Sequence, residues 1–113
     1  MSAGALAKIG QVLERGGEPD DVLRWAVAAL ADEPGVVWAG IAFLEEGELV
    51  LGPTAGEPDE RVRTRTPISY QDDPVGELQT DGEVDGADLE AVARLVAPYV
   101  LIGWDTRGEA WEP

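Results

Sequence analysis

The chain contains no cysteine and no histidine among its 113 residues. Without thiols there are no disulfide frameworks, thiolate nucleophiles or cysteine zinc sites. Without imidazole the commonest general base near neutral pH and the commonest metal ligand are missing. Basic charge is scarce as well. Eight Lys and Arg stand against 23 Asp and Glu, a formal net charge of −15, and Lys8 is the single lysine. Such a chain repels phosphate backbones and anionic lipid surfaces, so neither nucleic acid nor membrane is expected as a partner. No apolar run approaches the ~20 residues of a transmembrane helix. The opening MSAGALAKIG turns polar too soon for a secretion signal. A cytoplasmic location is therefore expected, and the Ala-, Gly-, Val-, Glu- and Arg-rich usage matches a GC-rich bacterial or salt-adapted source.

The apolar fraction of 44% is too high for a disordered acidic tail. The length suits one thin-cored domain with a radius of gyration of about 13 Å. Residues 3–15 predict a helix with Leu6, Ile9, Val12 and Leu13 on one face, stopped by Gly16-Gly17. Pro19, flanked by Glu18, Asp20 and Asp21, opens a second helix to about Ala31, apolar nearly all round. A turn at Asp32–Gly35 leads to a long apolar strand, Val36 to Leu44, covered on both faces. Glu45-Glu46-Gly47 turns the chain into a hairpin partner, Glu48 to Pro53. Arg61 to Tyr70 alternates as a strand, with Val62, Thr64, Thr66, Ile68 and Tyr70 toward the core, and Pro67 makes it an edge strand. After a turn at Gln71–Pro74 the last strand is Val75 to Asp81. A third helix from about Ala87 buries Leu89, Val92, Leu95, Val96, Tyr99 and Val100. Consecutive hairpins give an α+β domain with an antiparallel sheet covered by helices on one face.

Several of these segments carry a resemblance. VVWAGIAFL (36–44), ELVLGPTAGEP (48–58), TPISYQDDPVGELQTDG (66–82) and DLEAVARLVAPYV (88–100) resemble the GAF domain family of regulatory, small-molecule-sensing domains. The pieces LVLGPTAGEP and ISYQDDPVGELQTD are also similar to the GAF-type free methionine-sulfoxide reductases. The resemblance implies a profilin-like antiparallel sheet of about four strands in the order 2-1-4-3. It also implies two N-terminal helices and one C-terminal helix packed mainly on one face. Residues 1–103 would form this single domain and residues 104–113 a C-terminal tail with Trp104 and Trp111. Two departures bear on function. Those reductases work through cysteines, and this chain has none, so no enzyme activity is expected. The family's ligand pocket is roofed by a long insertion, for which only Thr54 to Arg61 remain here. A small ligand is then not enclosed to the usual 70–90%. A non-enzymatic regulatory or interaction module is therefore expected ahead of a small-molecule sensor.

The candidate binding residues are Arg61, Arg63 and Arg65, which project at about 6.6 Å spacing from one face of a strand. Trp38 and Glu77 accompany them on the face away from the helices. Such a row suits a carboxylate or phosphate ligand, or an acidic protein partner. The competing reading pairs it with this chain's own acids, Glu77 first. Trp38 would lie uncovered without a roof, which calls for a homodimer, and the apolar second helix offers another pairing surface. Trp25, Phe43, Tyr70 and Tyr99 are assigned to core packing. No catalytic residue, metal ligand or cofactor is assigned. The stretch Asp81–Gly86 begins like a calcium loop, but its twelfth position is Val92 in place of a bidentate glutamate. Capping of the third helix by Asp85 or Asp88 explains it better. The acid pairs Asp20-Asp21, Glu45-Glu46 and Asp72-Asp73 are turn and helix-start residues.

Overall fold

A computed structural model describes the backbone of residues 3–15 and 17–104 and the side chains of residues 7–11, 13–15 and 17–101. The tail beyond Trp104, Gly16, and the side chains of Leu6 and Val12 lie outside the described residues. Helix α1 is Ala3–Arg15 and α2 is Pro19–Ala31. Strands β1 (Val36–Glu45), β2 (Glu48–Gly56), β3 (Arg63–Tyr70) and β4 (Asp73–Gly82) follow, and α3 (Gly86–Trp104) closes the order. The strands form one antiparallel sheet in the order β2-β1-β4-β3. This is the topology that the resemblance implied, with Pro67 on an edge strand.

Local chemistry sets the turns. Glu46 and Gly47 both have positive φ, 50° and 84°, between the paired residues Glu45 and Glu48. Gln71 and Asp72 repeat this with φ of 51° and 70° between Tyr70 and Asp73. Two-residue loops of this hand match the twist of the flanking strands. Pro19 occupies the first turn of α2 with Asp20 and Asp21, and the Asp20 carboxylate receives a hydrogen bond from Arg24.

Helices α2 and α3 pack on one sheet face, and α1 packs on both of them. Ala39, Ile41, Phe43, Ile68 and Leu78 point into a core closed by Ile9, Leu23, Leu30, Val92, Val96 and Val100. Tyr99 reaches across and donates to the carbonyl of Leu13, tying α3 to α1. Four core assignments need correction. Trp25 is 46% exposed, because it falls on the α2 stripe turned away from the sheet. Leu95 is 39% exposed on the outer side of α3. Val62 is 44% exposed, because Glu60–Val62 form a 3-10 turn and β3 begins one residue later. Thr64, at the start of that edge strand, is exposed as well. Among the described residues no helix is long and apolar enough to cross a membrane.

Candidate functional site

Strands β2 and β3 sit on opposite edges of the sheet, so the chain must cross from one edge to the other between Gly56 and Arg63. It crosses over the face away from the helices. Gly56 makes the departure with φ +93°, and a side chain there would run into the carbonyl of Val37. Glu57 N–H then donates to the same carbonyl at 2.9 Å.

Beneath the crossover the register aligns Arg63, Asp81, Trp38 and Gly56 in one row across all four strands. The next row is Arg65, Gln79, Gly40 and Thr54, and the one after it Pro67, Glu77, Ala42 and Leu51. In the first row Arg63 donates from Nε and Nη2 to the two oxygens of Asp81, at 2.8 and 2.9 Å. Asp81 also accepts the backbone N–H of Asp59 at 2.6 Å, which pins the crossover to the sheet. The Arg63 guanidinium lies 4.4 Å from the ring centroid of Trp38. The indole in turn lies over Gly40, where an added Cβ would meet its Cη2 at 2.6 Å. Arg63 and Asp81 are 12% and 0% exposed in their side chains.

Hydrogen bonds from Arg63 hold the Asp81 carboxyl below its ordinary value, against the opposing effect of burial. The same bonds raise the Arg63 guanidinium, which stays charged. Arg61 grips Asp59 side-on through Nε and Nη2, both at 2.9 Å, which lowers the Asp59 carboxyl and raises the arginine.

The five residues singled out in the sequence thus have different fates. Arg61 is not on the strand. It sits in the 3-10 turn and faces Asp59, so the three arginines do not form a row. Trp38 does share the outer face with Arg63, Arg65 and Glu77, but it is not uncovered. Its exposure is 4%, with the Arg63 guanidinium over its ring and the indole lying on Gly40. Arg65 donates to Glu77 at 3.0 Å and remains 56% exposed. Glu77 also accepts from Gln79 at 2.9 Å. Sequence reasoning misses Asp59 and Asp81 as partners. Asp81 reads there as the end of the last strand, and nothing in the sequence sets it opposite Arg63 before the register is known. Asp85 accepts the N–H of Ala87 at the start of α3, the helix-capping role assigned above. No group of three or more Asp, Glu, His or Cys that could hold a metal occurs among the described residues.

Away from this face, a groove of about 580 Å³ opens between α1, α2 and the far end of β2. Lys8, Arg15, Trp25, Ala28, Ala29 and Ala55 are among its walls.

No family model and no curated protein matches the chain. Solved structures do match. A GAF domain from an Acinetobacter phosphoenolpyruvate-protein phosphotransferase superposes with a TM-score of 0.72 at 14% identity, covering 94% of this chain and 98% of that one. The free methionine-R-sulfoxide reductase of Neisseria meningitidis, in complex with its substrate, gives 0.69 at 16% identity, over 92% and 93%. The fRMsr of Staphylococcus aureus with substrate gives 0.67 at 19% identity, over 85% and 93%. The chain therefore has the GAF fold, shared with a domain of that phosphotransferase and with the reductases. It has no cysteine with which to perform thiol chemistry of the reductase type.

Proposed function

We propose that the chain is a non-enzymatic regulatory module of GAF type that works as a homodimer and engages a protein partner through the open part of its outer sheet face. The dimer rests on the exposed aliphatics Leu49, Val50 and Leu51 at the β2 edge, and one observation carries the rest of the reading. The space between crossover and sheet is filled by the chain's own Arg63 and Trp38, so a small molecule has nowhere to be enclosed there. What stays accessible is a flat surface around Arg65 and Glu77, continuous with Leu51 in the same row as Glu77. Flat, mixed surfaces of this kind suit protein contacts, and a guanidinium with one carboxylate partner suits an acidic group on the partner.

A second reading, an anionic metabolite bound at the same arginine, rests on that guanidinium being half exposed. Thermal unfolding with a panel of small carboxylates and phosphates separates the two. Binding at a hundredfold excess over Kd stabilises by about 2.7 kcal/mol. The protein-binding reading expects no saturable shift with any of them. A saturable shift that Arg65→Ala abolishes moves the function to small-molecule sensing.

A further inference from the structure

We propose that the homodimer forms by antiparallel pairing of β2 with β2 of a second copy, joining the two four-stranded sheets edge to edge into one. This names the surface of the dimer read above and rests on that reading.

Strand β2 is a sheet edge, and Leu49, Val50 and Leu51 are consecutive and 45%, 42% and 51% exposed. Three adjacent large aliphatics on the regular part of an edge strand, before the irregularity and Pro53 that close its farther half, form a short template for another strand. Proteins protect such edges, and in a chain of net charge −15 the covering surface must not set acids against acids.

A two-fold axis through Val50 meets both demands. It sets Leu49 opposite Leu51 of the other copy and Val50 opposite itself. It sets Glu48, the one acid of the segment, opposite Gly52. Directly opposed residues share a face. Because Leu51 pairs with Ala42 and Leu49 with Leu44, four leucines would meet on the outer face, beside Ala42 and Leu44 of each copy. Sliding the axis one residue toward the turn sets Leu51 against Gly47. Sliding it the other way sets Leu49 against Pro53. The register through Val50 alone pairs the three aliphatics with one another.

The absence of cysteine makes the test direct. Val50→Cys places one thiol at the axis, next to its own copy. Trp25→Cys places one in the exposed part of the α2 groove, and serves as the comparison. Wild-type mass is followed by sedimentation over a wide concentration range, and both variants are oxidised under conditions in which they remain folded by circular dichroism. The expected result is a wild-type dimer, near-complete disulfide-linked dimer for Val50→Cys and little for Trp25→Cys. Leu49→Lys with Leu51→Lys should weaken the dimer at least tenfold. A dimer that links in the Trp25→Cys variant and not in the Val50→Cys variant overturns the β2 surface while leaving a dimeric module. A monomer at every concentration overturns the surface and the dimeric reading together.

Discussion

Arg63 lies over the ring of Trp38 with 4.4 Å to its centroid, and at the same time holds both oxygens of Asp81. The two contacts turn the short crossover between Gly56 and Arg63 into a cover that the protein fills from within. Trp38 is thereby buried on a sheet face that carries no helix. The planar guanidinium serves both contacts, stacking through its face and pairing through its edge.

Asp81→Asn should cost about 3 kcal/mol, because it removes the bidentate counterion of Arg63 and leaves only the exposed Glu60 carboxylate at 3.4 Å. Arg65→Ala on the same face should cost no more than about 1 kcal/mol, since the Arg65–Glu77 pair is exposed on the arginine side. Urea unfolding of both variants measures the contrast. Equal losses would mean that the covered pair contributes no more to stability than the open one.

Arg63→Lys should also destabilise, although charge is kept. An ammonium cannot bond side-on to both carboxylate oxygens while stacked on an indole, so the loss should be about 1–3 kcal/mol. Near-UV circular dichroism should change with it as the surroundings of Trp38 loosen. A variant of wild-type stability would assign the pair to simple charge neutralisation.

Gly40→Ala places a methyl where the Trp38 ring lies, with 2.6 Å to Cη2. The indole must move, and overpacking of this kind costs typically about 1–3 kcal/mol. Calorimetry checks the loss. The same substitution at Gly10, where an added Cβ meets nothing within 4 Å, should not destabilise and should stabilise slightly through helix propensity.

Stability should fall on acidification in a way that depends on Asp81. Its folded-state carboxyl is held below the ordinary value near 3.8. The stabilisation is therefore complete above the unfolded value and is lost as the pH drops through the lower folded one. Chemical denaturation from mildly acidic pH down to the acid limit should show this slope, and Asp81→Asn should flatten it.

Asp72 adopts φ +70° in a two-residue hairpin turn. Asp72→Gly removes the steric cost of that conformation and should stabilise by up to about 1 kcal/mol. A loss of stability would mean that the Asp72 side chain does more than occupy the turn.

Much of the architecture was legible from residues alone. The helix starts at Pro19 and near Ala87, the hairpin turns after Glu45 and after Tyr70, and the edge position of the Pro67 strand all follow from local chemistry. The candidate site was legible only by residue type. Arginines, a tryptophan and a glutamate were named for one face, and four of the five share it. Arg61 left the set because the chain coils once more, over Glu60–Val62, before extending. Alternation in RVRTRTPISY reads the same whether the strand begins at residue 61 or 63.

Composition and local patterning alone give the class of the chain: acidic, cysteine-free, α+β, with strands joined by tight hairpin turns and one short connection before Arg63. What lies against the outer face at that connection follows instead from the register between strands. Tyr70 pairs with Asp73 at the turn, and one irregularity, at Ile68/Ser69, shifts every later pair by one residue. Because of that shift Arg63 meets Asp81; in an unbroken ladder it would have met Thr80. A one-residue slip sends a whole set of side chains to the other face. The buried ion pair and the covered tryptophan both depend on that shift in register, which is a relation between two strands and is contained in no short stretch of sequence.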